Sequence, residues 1–462
     1  MIPLTISQIS EVISGKTVGD GSKLITGAAF FDSREVIPNG IFLALKGEHV
    51  DGHEFAIKAL ESGAGVVICT REIGATCIVV PDVVEAITKL AAHVRQIIPG
   101  MKVIAITGSH GKTTTKDLSK HLLSMMGETV APKSSFNNDL GVPITILECS
   151  NETKFCILEM GARNLGDISK LERTFLPDLG VVLGVGSAHI GVFGSQEIIA
   201  NAKSEMVKNL ESSKIAILGS YDDLTIKMKK LTKATVITFG ENSNNDVRAT
   251  DVEIREGFAH FDLVTSFGRE SVALRQAGRH QVANALAAAA IATALNMPID
   301  KISAGLSTAE ISSKWRMELH EVAGRLIIND SYNANPESMF AALDALRLFA
   351  QERGGRAWAF LGKMHELGEF SLAGHQEVAR KAIDLEIDHL VAIGTEEYLV
   401  KSEYGSTEIL LVENIESARE IATGSEAGDV ILVKGSRAEG LEKLAELLIG
   451  DLNGLPVDKS EG

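Results

Sequence analysis

Apolar and polar positions change rhythm twice along this chain. Over residues 1–99, short apolar runs alternate with turn residues, as in NGIFLAL (39–45), AGVVICT (64–70) and ATCIVVPD (75–82). Runs of that length between Gly, Asn and Asp predict a small α/β domain that closes near Pro99-Gly100. From residue 102 the alternation lengthens. KVIAITG, FCILEMG (155–161) and DLGVVLGVG (178–186) are continuous apolar runs ending at glycine, the pattern of parallel strands buried on both faces. KDLSKHLLSMM has helical spacing, residues 240–275 predict shorter alternating strands, and QVANALAAAAIATAL (281–295) is a helix by propensity. After Trp315 the rhythm restarts. RLIINDSYN, RAWAFLG, HLVAIG and GDVILVKGS are strand-like runs separated by helical stretches, the order of a doubly wound α/β domain. The expected fold is therefore α/β in three domains: 1–99, a central parallel-sheet domain over 100–316, and a Rossmann-like domain over 317–462. The tail NGLPVDKSEG reads as disordered.

Composition narrows the class. At 462 residues the chain exceeds what one core carries. It is 45% hydrophobic and 23% charged, yet has no window of about 18 apolar residues, so no membrane span is expected. The start, MIPLTISQIS, lacks the basic residues and long apolar run of a secretory signal. A formal charge of −16 argues against a nucleic-acid partner bound through a broad basic face. Cys69, Cys77, Cys149 and Cys156 form no CxxC pair and sit in or beside apolar runs; they read as reduced core thiols, and the protein as cytoplasmic.

The chemistry begins at ITGSHGKTTTKDL (106–118). A glycine-rich turn between a strand and a helix points backbone N–H groups and the helix N-terminus at an anion. Gly108, Ser109, His110 and Gly111 would form that cradle. Lys112 would reach the β and γ phosphates, and the Thr113 hydroxyl would sit on Mg²⁺ with Thr114 beside it. Ile106 stands where the general GxxxxGK[ST] pattern has its first glycine, so the match is to the shorter TGxxGKT. These residues predict nucleotide binding.

Downstream motifs are more specific. NNDLGVP (137–143), EMGA (159–162), AHIGVFGS (188–195), AKSE (202–205), GRHQVANALAA (278–288) and NDSYNANPESM (329–339) follow the turn in that order. Together they resemble the Mur ligases, the ATP-dependent amide-bond-forming enzymes of peptidoglycan synthesis. DSREVIPNGIFLALKGEHVDGHEF (32–55) resembles that family's uridine-nucleotide-binding domain. NDSYNANPESM and VKGSR (433–437) look like the step that joins D-alanyl-D-alanine to UDP-N-acetylmuramoyl-tripeptide, and the sequence fits either lysine or diaminopimelate in that tripeptide.

The resemblance implies an acyl-phosphate route: the γ-phosphoryl group of ATP passes to a carboxylate, an amine attacks, and phosphate leaves. Two anions must meet, which demands cations at the junction, and Lys112 would be the first. By resemblance Thr113 and Glu159 ligate one Mg²⁺, though a buried Glu159 could instead be half of an ion pair. His189 matches a ligand of a second Mg²⁺, with a structural histidine as the alternative. Lys203 matches a lysine that CO₂ converts to a carbamate supporting that second metal. This needs a neutral amine and hence a depressed pKa; a helix-surface lysine is the bland reading. Glu205 reads as its helical neighbour. Asn284 would contact adenine and shares a helix face with His280, for which helix capping competes. Arg316 resembles the interdomain arginine that meets the γ-phosphate. Asp330 would hold the ribose, with Tyr332, Asn333, Asn335 and Pro336 around it, Asn335 toward substrate.

Asn137 and Asn138 would face the muramoyl peptide, although asparagine beside glycine is common in turns. Ser33, Arg34, Lys46, Asp51, Gly52 and His53 would take the uridine end, and the family implies a monomer. Three departures stand out: Lys363 in GKMHELG replaces a common acid, Arg163-Asn164 reverses a common order, and Gly191 occupies a position where an acid is common. The preceding ligase of the pathway usually carries a DNPR-like motif, where this chain has NANPES. Folylpolyglutamate synthase normally has a GTNGKGS turn and lacks the uridine domain. A P-loop NTPase that makes no bond is the reading from another class.

Overall fold

The computed structural model describes residues 1–47, 50–133, 135–310, 313–400 and 406–452; the tail expected to be disordered lies outside them. The chain builds three sheets in succession. In the first, Lys16–Val18, Cys77–Val79, Val66–Cys69, Ile41–Leu43 and Ala29–Phe30 lie side by side, parallel except for the first strand. The helix Val83–Ile97 covers it with Ile87, Leu90 and Val94, three or four residues apart and fully buried, the spacing of one helical face. Arg95, near the end of that helix, donates to Asp178 and to the carbonyls of Met101 and Phe175. That fastens the first sheet unit to the second.

The second sheet has nine strands. Its centre is Lys102–Thr107 between Phe155–Glu159 and Leu179–Val182, all parallel. Ile104, Ala105 and Ile106 have no exposed surface, as their unbroken apolar run requires. The alternating strands expected between 240 and 275 are present as Val247–Arg255, Phe258–Thr265 and Gly268–Ala277. They are the longest of the sheet, not short: an antiparallel ribbon needs cover on one face only and can run past the core. Ala259, Phe261 and Leu263 point inward against the helix Gln281–Ala294, whose run Ala285–Ala292 is fully buried. Small alanines let that helix pack closely against both the sheet and the neighbouring helix Lys112–Ser124.

The third sheet runs Glu318–Val322, Arg325–Asn329, Val430–Lys434, Ala357–Leu361, His389–Ile393, Glu408–Val412, parallel except for the first strand. Pro336–Arg353 and Ser371–Asp384 cover one face, and Ile415–Ala422 and Glu442–Leu452 the other. This is the doubly wound arrangement expected from the sequence, with ligand crevices at the carboxyl ends of its strands. The four cysteines are buried and unpaired, and no described helix is long and apolar enough to cross a membrane.

Candidate active site

The phosphate turn sits between the end of Lys102–Thr107 and the start of Lys112–Ser124. Gly111 has a φ of 78°, and a Cβ there would fall 2.3 Å from Asn284 Oδ1. The positive φ therefore calls for glycine, and any Cβ there would also displace the Asn284 amide on the alanine-rich helix. Ser109 accepts from Gly186 N at 2.8 Å and its own N–H donates to Gly184 O at 3.0 Å, which ties the turn to the end of the neighbouring strand. Lys112 Nζ donates to Gly108 O at 2.7 Å. Burial depresses its ammonium, Glu159 opposes that shift, and Arg316 adds to it.

Glu159 pairs in register with Ile106 and is fully buried at the end of its strand. Burial raises its pKa against the pull of Lys116, Lys112 and Arg316. Thr113 Oγ1 lies 3.3 Å from Glu159 Oε2, while Glu159 Oε1 has no hydrogen-bond partner. A hydroxyl and a buried, half-partnered carboxylate are hard oxygen donors that fit Mg²⁺, which takes its remaining ligands from phosphates and water. Among the described residues no group of three His, Cys, Asp or Glu side chains is gathered for a metal.

Arg316 crosses to this point from the segment leading into the third sheet. Its Nη2 lies 2.9 Å from Thr113 Oγ1 and 3.2 Å from Ser135 Oγ, and its guanidinium stacks 4.1 Å from the Tyr332 ring centroid. Asp330, at the end of its strand, accepts from Met317 N at 3.1 Å and from the buried Lys434 Nζ at 2.6 Å. Lys434 also donates to Asn333 O at 2.8 Å. Glu337 spans the two units, accepting from Ser187 N at 2.6 Å and Ser187 Oγ at 2.9 Å.

Between these walls lies a cavity of about 540 Å³. His110, Gly111, Thr114 and Asn284 line one side, and Asp330, Tyr332, Asn333 and Lys434 the other, with Arg316 between them. Phosphate turn, adenine and ribose candidates thus meet in one space of nucleotide size. Sequence reasoning missed Ser135, Glu337 and Lys434 as partners, and also Tyr221 and the Arg279–Glu241 pair (2.7 Å) in the cavity wall. Glu337 and Lys434 do lie inside motifs already singled out.

His189 stands at a φ of 64°, its Nδ1 2.8 Å from Glu366 Oε2. Lys203 is 4% exposed on the helix Gln196–Lys208. Burial, then the charge of Lys112, pushes its amine well below its usual value. Glu205 accepts from Gly166 N at 2.8 Å and Ser169 N at 3.0 Å, at the start of the neighbouring helix Asp167–Phe175.

The substrate candidates divide. Phe31 and Phe136 bring their ring centroids within 6.1 Å, so the turn holding Ser33 and Arg34 faces the loop holding Asn137 and Asn138. Arg34 chelates the Asp32 carboxylate, holding it down at about 2. Asn138 Oδ1 accepts from Gly141 N at 2.9 Å, and Asn335 caps the helix Pro336–Arg353 through Ser338 N at 2.9 Å; both side chains have structural tasks. Lys46 pairs with Asp51 through the backbone. His53 Nδ1 lies 2.6 Å from Asp51 Oδ1 and its Nε2 accepts from Thr70 N at 3.0 Å, so its ring pins the loop at Gly52 to the neighbouring strand end. The His53 N–H groups hold the Asp51 carboxyl well below the usual range.

His280 offers a pH test. Burial pushes its imidazole down to about 4, with Asp330 opposing, against about 6.5 when unfolded. Between those values the unfolded chain binds a proton that the folded chain refuses, so stability falls as pH drops from about 6.5 to 4. The loss is at most about 3 kcal/mol, less because His280 also faces the open cavity. His280→Gln is expected to flatten that part of the curve, read by denaturant unfolding at several pH values.

Residues 30–109 match the Mur ligase family catalytic domain, residues 106–292 the Mur ligase middle domain, and residues 315–437 the Mur ligase glutamate ligase domain. The UDP-N-acetylmuramoyl-tripeptide–D-alanyl-D-alanine ligase of Mycobacterium tuberculosis is 38% identical, over 98% of this chain and 98% of that one. A crystal structure of MurF from Acinetobacter baumannii superposes with a TM-score of 0.86 at 33% identity, covering 97% of this chain and 99% of the other. MurF ligase from Thermotoga maritima in complex with ADP does so at 0.80 and 29%, over 92% and 98%.

Proposed function

This chain belongs to the Mur ligase family, and from that premise we propose that it joins D-alanyl-D-alanine to the terminal carboxylate of UDP-N-acetylmuramoyl-tripeptide, giving UDP-N-acetylmuramoyl-pentapeptide, ADP and phosphate. It is an ATP-dependent ligase of peptidoglycan synthesis. The observation that carries the reading is the shared cavity, with a phosphate turn on the central sheet, an acid–lysine pair on the third, and Arg316 reaching from one to the other.

In this reading Lys112 leaves the Gly108 carbonyl for the phosphates, and Arg316 turns toward the γ-phosphoryl group. Both place positive charge where the donor phosphate and acceptor carboxylate would otherwise repel. Thr113 and Glu159 would hold Mg²⁺, which neutralises phosphate charge when bound. His189 and a carbamylated Lys203 would hold a second. Asp330, with Lys434 against it, takes the ribose hydroxyls, and Asn284 the adenine. Residues 1–99 take the UDP-sugar end through Ser33 and Arg34, with Asn137 and Asn138 opposite. Residues 317–462 present the dipeptide. Once the acyl phosphate has formed, the dipeptide amine attacks its carbonyl carbon, the C–O bond to phosphate breaks, and the amine proton leaves to base. Closure matters because acyl phosphates hydrolyse. The reading places the protein in the cytoplasm as a monomer.

Phosphate release from ATP, measured with UDP-N-acetylmuramoyl-tripeptide and with or without D-alanyl-D-alanine, tests it. Dipeptide-dependent release with a pentapeptide product by mass is expected. Turnover with a single amino acid instead would assign the preceding step, and turnover without an acceptor would assign an NTPase.

A further inference from the structure

The loop that follows the strand Ala357–Leu361 leaves the third sheet and meets the central unit at His189 and Gly191. Glu366 Oε2 lies 2.8 Å from His189 Nδ1, and Glu366 O accepts from Gly191 N at 3.1 Å. Two glycines meet beside this pair. A Cβ on Gly191 would fall 2.4 Å from Gly368 N and 2.5 Å from the Leu367 carbonyl carbon. Those are backbone atoms that cannot swing aside. His189 and Glu366 both stand in the left-handed region, at φ 64° and 68°, which few non-glycine residues adopt. Each side chain is thus aimed by an unusual backbone, and the glycine contact lets the two backbones come close enough to use that aim.

We propose that Glu366 is a positioning residue for His189 and that it acts only when the third unit is docked. An imidazole that ligates a cation through one nitrogen is held best when its other N–H is given to a carboxylate, which fixes the ring plane and the tautomer. Here Nδ1 is occupied by Glu366, which leaves Nε2 for the cation. The carboxylate comes from a different sheet than the histidine, so docking and the orienting of the ring are one event. Gly191, one of the departures noted in the sequence, thereby gains a reason: any side chain at that position would hold the loop of Glu366 away. The inference rests on the reading of His189 as a cation ligand.

Mn²⁺ in place of Mg²⁺, titrated by electron paramagnetic resonance on the full-length enzyme with ADP, tests it alongside steady-state kinetics. E366A is expected to weaken the His189-dependent Mn²⁺ affinity about tenfold, lower kcat, and leave the KM for ATP within about twofold. E366Q, whose amide oxygen still accepts from Nδ1–H, is expected to recover most of that affinity. G191A, which removes neither partner, is expected to reproduce the E366A defect by keeping the loop away. If H189A weakens Mn²⁺ binding while E366A and E366Q both match the parent, the positioning role is overturned and the ligand role of His189 stands. If H189A leaves Mn²⁺ binding unchanged, the reading of His189 fails and this inference with it.

Discussion

Lys203→Met is expected to lower kcat by about 10³-fold or more with no loss of melting temperature. The residue is 4% exposed and its side chain makes no hydrogen bond or ion pair to a described group; Lys116 and Lys434, also buried, each have an acid. Burial, with Lys112 close enough to matter, pushes the Lys203 amine well below its usual value. A buried cation without a partner is expensive, so replacing it with an apolar side chain of similar length should leave the fold intact. Catalysis should suffer, because the neutral amine is what would attack CO₂, forming an N–C bond and releasing a proton to leave an anionic carbamate. Methionine cannot do this. The companion measurement is ¹³C NMR with labelled bicarbonate, in which a carbamate resonance in the parent should vanish in the variant. A parent without that resonance, or a Lys203→Met enzyme of normal kcat, would remove the carbamate from the mechanism.

A second loss of similar size is expected for Lys112→Ala, about 10³-fold in kcat, with ADP binding weakened by about 10- to 150-fold, since one charge-assisted hydrogen bond to a phosphate is worth roughly 1.5–3 kcal/mol. Lys112 Nζ now rests on the Gly108 carbonyl at 2.7 Å, within the turn that it would serve. Its helix begins at that residue, so removing the side chain takes nothing from the core, and melting temperature should hold. The effect should be larger in kcat than in ADP affinity, because ADP lacks the γ-phosphoryl group whose charge Lys112 would meet during transfer. A kcat within tenfold of the parent would show that another cation, Arg316 being the nearest candidate, carries the phosphate.

What was legible in the sequence was local. Strand Lys102–Thr107, its turn and its helix are contiguous, so one apolar run, one glycine spacing and one helical period expose them together. The doubly wound third unit was legible for the same reason. Contacts between distant segments were not. Ser135 beneath Arg316, Glu337 against Ser187 and Glu366 against His189 join residues that no periodicity relates. Asn138, Asn335 and His53 mark the opposite limit. Each has a side chain suited to a ligand, and in the fold that side chain also holds backbone N–H groups at the start of a helix or in a loop. The residue type is the same for either task, so the sequence does not reveal which backbone N–H groups such a side chain also holds. The alternating strands after residue 240 were foreseen but underestimated in length, because alternation reports which face is covered and says nothing of how far a ribbon extends.

The cavity between the central and third sheets has a pharmacological consequence. Its two walls belong to separate units, so a compound filling it would act as a glue, adding to the few polar contacts that hold the halves together. Escape would require the halves to part. Residence time, more than equilibrium affinity, would then govern potency, and resistance would be expected at the latch between Glu337, in the cavity wall, and Ser187 beyond it, wherever a substitution hastens opening while turnover survives.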